Sequence, residues 1–205
     1  MTMRPKIFSA LTGLGICALV PAQVIVSTNI ATSTTWTANN VYALQGDIYV
    51  LPGATLTIQA GTVIASLNDS TLAVCRGAQI VANGTATSPI IFTSDNDRAT
   101  WTSGNPETGT YRQSANNEWG NVTIMGSAYI SENQVGTNTP TPNASNYGDM
   151  EGLNPANTAL NDYGGGNDND DSGSFSYVSL RYGGRTAAPG VELNGLSLGG
   201  LGRNT

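Results

Sequence analysis

The 205-residue chain contains no histidine, and its one lysine, Lys6, stands within the first few positions. The commonest general base and a common metal ligand are therefore missing, as are the basic patches that bind nucleic acid or anionic membrane. Cysteine is nearly absent: Cys17 and Cys75 are the two. Charge is scarce at 11% and leans acidic, with 14 Asp and Glu against 8 Lys and Arg and a formal net charge of −6. No apolar run reaches the roughly 20 residues that span a bilayer as a helix.

What is present begins with a leader. Arg4 and Lys6 form a positive start, Ile7 to Val20 an apolar stretch, and Val20-Pro21-Ala22 a small-residue cleavage signal, so residues 1–22 read as a signal peptide. Residues 23–205 then form a single domain, secreted or held at the cell surface. Removing the leader leaves 6 of the 8 basic residues against 14 acidic ones, a net charge of −8 (6 − 14). Cys75 becomes the only cysteine, which rules out an intramolecular disulfide, and it reads as a small residue in or beside a strand. A lipid anchor at Cys17 would need a small residue before it, where Ile16 stands.

Strand signals follow one another along the mature chain. Alternation of period two marks Ile48-Tyr49-Val50, Leu56-Thr57-Ile58, Leu72-Ala73-Val74, Ile90-Ile91-Phe92, Val122-Thr123-Ile124, Val178-Ser179-Leu180 and Leu196-Ser197-Leu198, each bounded by turn-forming residues. No window carries a 3.6-residue apolar pattern, so the fold class is all-β. The apolar phase of these strands, together with Ile80, is the expected core.

An internal repeat selects among all-β folds. Ile48 to Leu56 aligns with Leu72 to Ile80 (72 − 48 = 24 residues), matching Ile with Leu, Val with Val, Gly-Ala with Gly-Ala and Leu with Ile. That is one turn of a solenoid, with glycines at the corners. A later pair, Val178/Leu180 and Leu196/Leu198, recurs after 18 residues (196 − 178), implying rungs of variable length. Two stretches poor in aliphatics, Asp95 to Asn117 and Ser131 to Gly173, read as long loop excursions able to cover one face. The expectation is a right-handed parallel β-helix with two long excursions.

Certain runs also resemble a known family: Gly53 to Ile64, Pro89 to Ser94, Trp119 to Gly126, Asp170 to Gly173, Tyr177 to Gly184 and Glu192 to Gly200. As an ordered set they resemble exported bacterial right-handed parallel β-helix proteins, often labelled surface lipoproteins. The resemblance runs from about Trp36 onward and implies a cell-surface or extracellular protein, in a family whose functions are mostly unassigned. It also implies that more chain should follow.

Candidate chemistry is sparse. Asn167, Asp168, Asn169, Asp170, Asp171 and Ser172 offer oxygen ligands suited to a hard cation such as calcium, with a solvated acidic turn as the competing reading. The run is no EF-hand, since Ser172 replaces the sixth-position Gly and Val178 the bidentate Glu. Asp95 and Asp97 read as turn formers. Arg181 points outward by alternation and reads as a solvated face residue. Trp36, Trp101 and Trp119 either stack on sugars or close the ends of rungs. No catalytic residue emerges, and the clear strands hold few carboxylates: Glu118 precedes one and Glu192 lies in the last. The expected function is a structural or adhesive module that binds carbohydrate, calcium or other surface components, with a polysaccharide lyase or hydrolase as the alternative. Because Gly199-Gly200 and Gly202 resemble a corner leading to another rung, the chain is expected to be part of a longer solenoid that self-associates through an open C-terminal edge.

Overall fold

A computed structural model describes residues 22–111, 117–133 and 142–205. The expected leader, with Cys17, lies outside the described residues except for Ala22, which opens the first strand. Short apolar triplets between turn residues give short strands. In chain order these are β1 (Ala22–Val26), β2 (Thr34–Trp36), β3 (Asn40–Leu44), β4 (Asp47–Val50), β5 (Thr55–Ile58), β6 (Val63–Ser66), β7 (Thr71–Val74), β8 (Gln79–Asn83) and β9 (Ile90–Ser94). There follow β10 (Val122–Met125), β11 (Gly148–Asp149), β12 (Asp162–Tyr163), β13 (Gly173–Ser176), β14 (Val178–Leu180), β15 (Thr186–Ala188), β16 (Val191–Glu192) and β17 (Leu196–Gly199).

Thirteen of these strands make three parallel sheets: sheet A is β1-β3-β6-β9-β14, sheet B is β4-β7-β10-β17 and sheet C is β2-β5-β8-β13. From β4 onward the chain visits B, C and A in turn and returns to B, so each strand pairs with its counterpart one rung earlier. This is a parallel β-helix. The 24-residue repeat is its rung, since Ile48 pairs with Leu72, Val50 with Val74 and Leu56 with Ile80.

Like residues stack above like inside the coil. Sheet B supplies the columns Ile48-Leu72-Val122-Leu196 and Val50-Val74-Ile124-Leu198. Sheet A supplies Tyr42-Ile64-Phe92-Leu180, and sheet C supplies Trp36-Ile58-Ala82-Phe175, where the small Ala82 leaves room between larger neighbours. Eleven of the fifteen expected core residues are buried to 2% exposure or less: Ile48, Val50, Leu56, Ile58, Leu72, Val74, Ile80, Ile90, Phe92, Val122 and Ile124. Val178, Leu180 and Leu196 are half-buried, and Leu198 is 56% exposed. All four belong to β14 and β17, each of which pairs with one strand among the described residues; β4 also ends its sheet, but Ile30 bridges Val50 and keeps it covered.

Corners depend on glycine where the backbone turns left-handed or runs close to its neighbour. Gly53 and Gly77 hold φ of +86° and +73° in successive rungs, and the Gly53 amide donates to the Gly77 carbonyl at 2.7 Å. Gly84 has no such φ, but a Cβ there would lie 2.9 Å from the Ile90 nitrogen.

Two expectations need correction. Val178 and Leu196 are not successive rungs of one face: Val178 pairs with Ile90 in sheet A and Leu196 with Val122 in sheet B, so they lie on adjacent faces, less than one turn apart. Glu192 is not in the last rung strand. It lies in β16, which pairs antiparallel with β15 in a third excursion between β14 and β17 that the sequence reading missed.

The two expected excursions occur. The first leaves β9 through the short helix α1 (Asp95–Arg98), where Ser94 Oγ accepts the Asp97 amide at 3.0 Å and Thr93 Oγ1 donates to the buried Asp97 carboxylate at 2.7 Å. The second lies across the outer face of sheet B. There the outward residues Tyr49, Ala73 and Thr123 are all buried, and Tyr49 donates its hydroxyl hydrogen to Asn161 Oδ1 at 2.9 Å. Arg76 secures the cover: it donates to the Gly164 carbonyl at 2.9 Å, stands 3.8 Å from Asp162 and lies 4.4 Å over the Tyr147 ring. Cys75, immediately before it, is buried, and burial pushes its thiol up to about 11.

Candidate functional site

Sheet B is covered, sheet C carries the half-buried outward column Thr57-Val81-Ser174, and sheet A bears a cleft. Its outward phase is apolar in three successive rungs, Val41, Val63 and Ile91, which form the floor of a groove of about 710 Å³. The first excursion folds back along this face through two turns, Thr102–Gly104 and Pro106–Thr108, and raises a wall that includes Trp101, Asn105 and Glu107. Asn105 builds its own corner by accepting the Glu107 amide at 2.9 Å.

Polar groups ring the floor. Arg98 is tied to Asp95 at 3.5 Å, while Arg181, half-buried, donates to Ser179 Oγ at 3.1 Å and approaches the Pro106 carbonyl at 3.5 Å. Arg181 has no ion pair among the described residues, whereas Arg76, Arg98, Arg185 and Arg203 each stand near an aspartate. Its outward orientation follows the strand alternation, but it lines a groove rather than an open solvated face. Glu107 is the one carboxylate among the lining residues.

The three tryptophans separate. Trp36 and Trp119 are buried inside the coil. Trp36 stacks on Tyr42 with centroids 4.7 Å apart, and Trp119 lies 6.2 Å from Phe92 and donates to the Arg181 carbonyl at 2.7 Å. Trp101 alone borders the groove, and its buried Nε1 has no hydrogen-bond partner among the described residues.

The acidic run takes a different part. Asn167 Oδ1 accepts the Asn169 amide, Asp168 accepts the Tyr129 amide and stands 3.8 Å from Arg203, and Asp171 accepts the Gly173 amide. Asp170 is buried and accepts hydroxyls from Ser127 at 2.5 Å and Ser172 at 2.8 Å. Asn167 and Asp171 each accept an amide two residues on, whereas Asp168 and Asp170 reach across to Tyr129 and Ser127 in the chain that follows β10. Among the described residues no group of three or more acidic or thiol side chains is placed to hold a metal ion. The run also seats the following corner of the coil: Arg203 N donates to the Asp168 carbonyl, Asn204 Nδ2 to the Asn169 carbonyl, and Ser172 N to Thr205 Oγ1.

Fold and groove together define a parallel β-helix with an open, partly apolar cleft on sheet A. Residues 28–205 match the family model described as a pectate-lyase-like β-helix domain, and the chain belongs to that family. No curated protein and no solved structure matches it. Among the described residues no helix is long and apolar enough to cross a membrane.

Proposed function

We propose that this protein is a non-catalytic, secreted or cell-surface β-helix module that holds a polysaccharide in the groove over sheet A. The observation that carries this reading is the combination of an apolar floor, Val41, Val63 and Ile91, with Arg181, Asn105 and Glu107 at its rim. Sugar rings present C–H faces and hydroxyl edges, and such a cleft answers both with apolar surface and a few placed polar groups. The floor repeats rung by rung, which suits a ligand that also repeats. The leader-like start at Met1 to Ala22 supports export.

The alternative, a polysaccharide lyase or hydrolase, draws on the family's description. Against the hydrolase stands the lone carboxylate of the groove, because glycoside hydrolysis ordinarily uses two, roughly 5 to 10 Å apart. Calorimetric titration with acidic and neutral oligosaccharides, followed by product analysis of the same samples, separates the two. Binding without product, weakened by Arg181→Ala, supports the module. Product formation that disappears in Glu107→Gln would replace it with an enzyme.

A further inference from the structure

Two Asn-Gly pairs occur in the chain, Asn83-Gly84 and Asn194-Gly195, and the fold treats them differently. Asn-Gly is the dipeptide in which the following amide nitrogen reaches the asparagine side chain most freely, because glycine has no Cβ to obstruct the approach.

Asn83 ends β8 with every relevant group engaged. Its Nδ2 donates to Ser174 Oγ at 2.8 Å, its Oδ1 accepts from Ser176 Oγ at 3.0 Å, and the Gly84 amide donates to the Ser176 carbonyl at 2.9 Å. Gly84 is itself buried against the Tyr177 and Ile90 backbone. Asn194 lies between the third excursion and β17. It is exposed, its side chain makes no hydrogen bond with any described residue, and the Gly195 amide is likewise free among them. A Cβ built on Gly195 would meet nothing within 4 Å.

We propose that Asn194 is a site of spontaneous deamidation in the folded protein and that Asn83 is protected from it. The Gly195 nitrogen attacks Asn194 Cγ, forming an N–Cγ bond. The Cγ–Nδ2 bond breaks, and ammonia leaves carrying the proton lost from the Gly195 amide. Water then opens the five-membered imide at either carbonyl, giving an aspartyl or an isoaspartyl residue at position 194. The isoaspartyl form inserts an extra backbone atom just before the Gly195 carbonyl that accepts the Val122 amide at 3.3 Å. The modification therefore loosens the entry to β17 while leaving the earlier rungs intact.

The test incubates the full chain above neutral pH and follows both sites by mass spectrometry. Cleavage after Arg76, Arg98, Arg185 and Arg203 puts one Asn-Gly pair on each of two peptides. The folded protein should gain mass at position 194 at least about tenfold faster than at 83, because Asn83 must wait for local opening. In denaturant the two rates should converge, and Gly195→Ala should slow the reaction at 194. Similar rates at both sites in the folded protein would overturn the proposal, as would a difference that persists unchanged in denaturant.

Discussion

The stretch from β3 to β9 and the stretch from α1 onward use the same three-sheet plan with very different amounts of chain. In the first, a rung takes between 22 residues, from Val41 to Val63 (63 − 41), and 28, from Val63 to Ile91 (91 − 63), with 24 from Ile48 to Leu72 (72 − 48); in the second, the next rung of sheet B takes 50, from Leu72 to Val122 (122 − 72), and the one after takes 74, from Val122 to Leu196 (196 − 122). The ladder does not register the change. A strand in a solenoid is specified by the strand it lands on, so the connection is free to lengthen. What does change is burial. β7, between β4 and β10, is buried at all four positions, whereas β14 and β17, paired on one side, are not. Core quality follows from cover on both sides, by a paired rung or, at β4, by the segment that bridges Val50 through Ile30, more than from the apolar pattern of the strand itself.

The largest expected break in this comparison comes from truncating equivalent leucines. Leu72→Ala, in the middle of the sheet B column, should cost about 2 to 5 kcal/mol, while Leu198→Ala should stay within about 0.5 kcal/mol. Denaturant titration of both variants checks this, and equal losses would contradict the role given to two-sided stacking. Next in size is Gly53→Ala, which places a Cβ at φ +86° in open space. Strain alone should cost about 1 kcal/mol there.

A pH effect should be smaller and should link the two halves. Asp47 belongs to the regular half, but burial pushes its carboxyl above 3.8, opposed by the nearby Arg185 of the third excursion. The folded chain therefore holds this proton where the unfolded chain has lost it. The resulting stability is fully present below pH 3.8 and is lost as pH rises through the folded value. Asp47→Asn should flatten that decline, visible as a shallower fall in melting temperature above about pH 4.

The smallest effect concerns the acidic run. With Asp170 engaged by Ser127 and Ser172, melting curves in calcium and in chelator should coincide. A calcium-dependent rise abolished by Asp170→Ala would show that the loop rearranges around the ion.

Most of the coil was legible before the structure, because parallel stacking writes the same apolar phase into each rung: Ile48, Leu72 and Val122 are readable from the residues beside them. Burial at the end of the ladder was not, since Leu198 has the same local pattern as Ile124 and differs only in what lies above it. The third excursion escaped notice because Val191 and Leu193 sit close enough to Leu196 to read as one strand. The groove was hardest. Val41, Ile91, Asn105 and Arg181 are far apart in sequence and meet only because sheet A stacks them and the first excursion turns back over them. The tryptophans were undecided for the same reason, as nothing beside Trp119 distinguishes a ring that fills the coil from one that borders a cleft.

The constancy of the ladder across connections of 24 and 74 residues also bears on how the chain folds. Closing a flexible loop costs entropy that grows only with the logarithm of its length, so the longer connection adds about 1 kcal/mol over the shorter one. Speed is another matter, because contacts distant in sequence form slowly. The compact early rungs can close on near neighbours and then serve as a finished edge. β10 and β17 must instead search for that edge at the end of long tethers. The molecule is thus expected to assemble as a front moving from β3 toward β17, with a pause at each excursion.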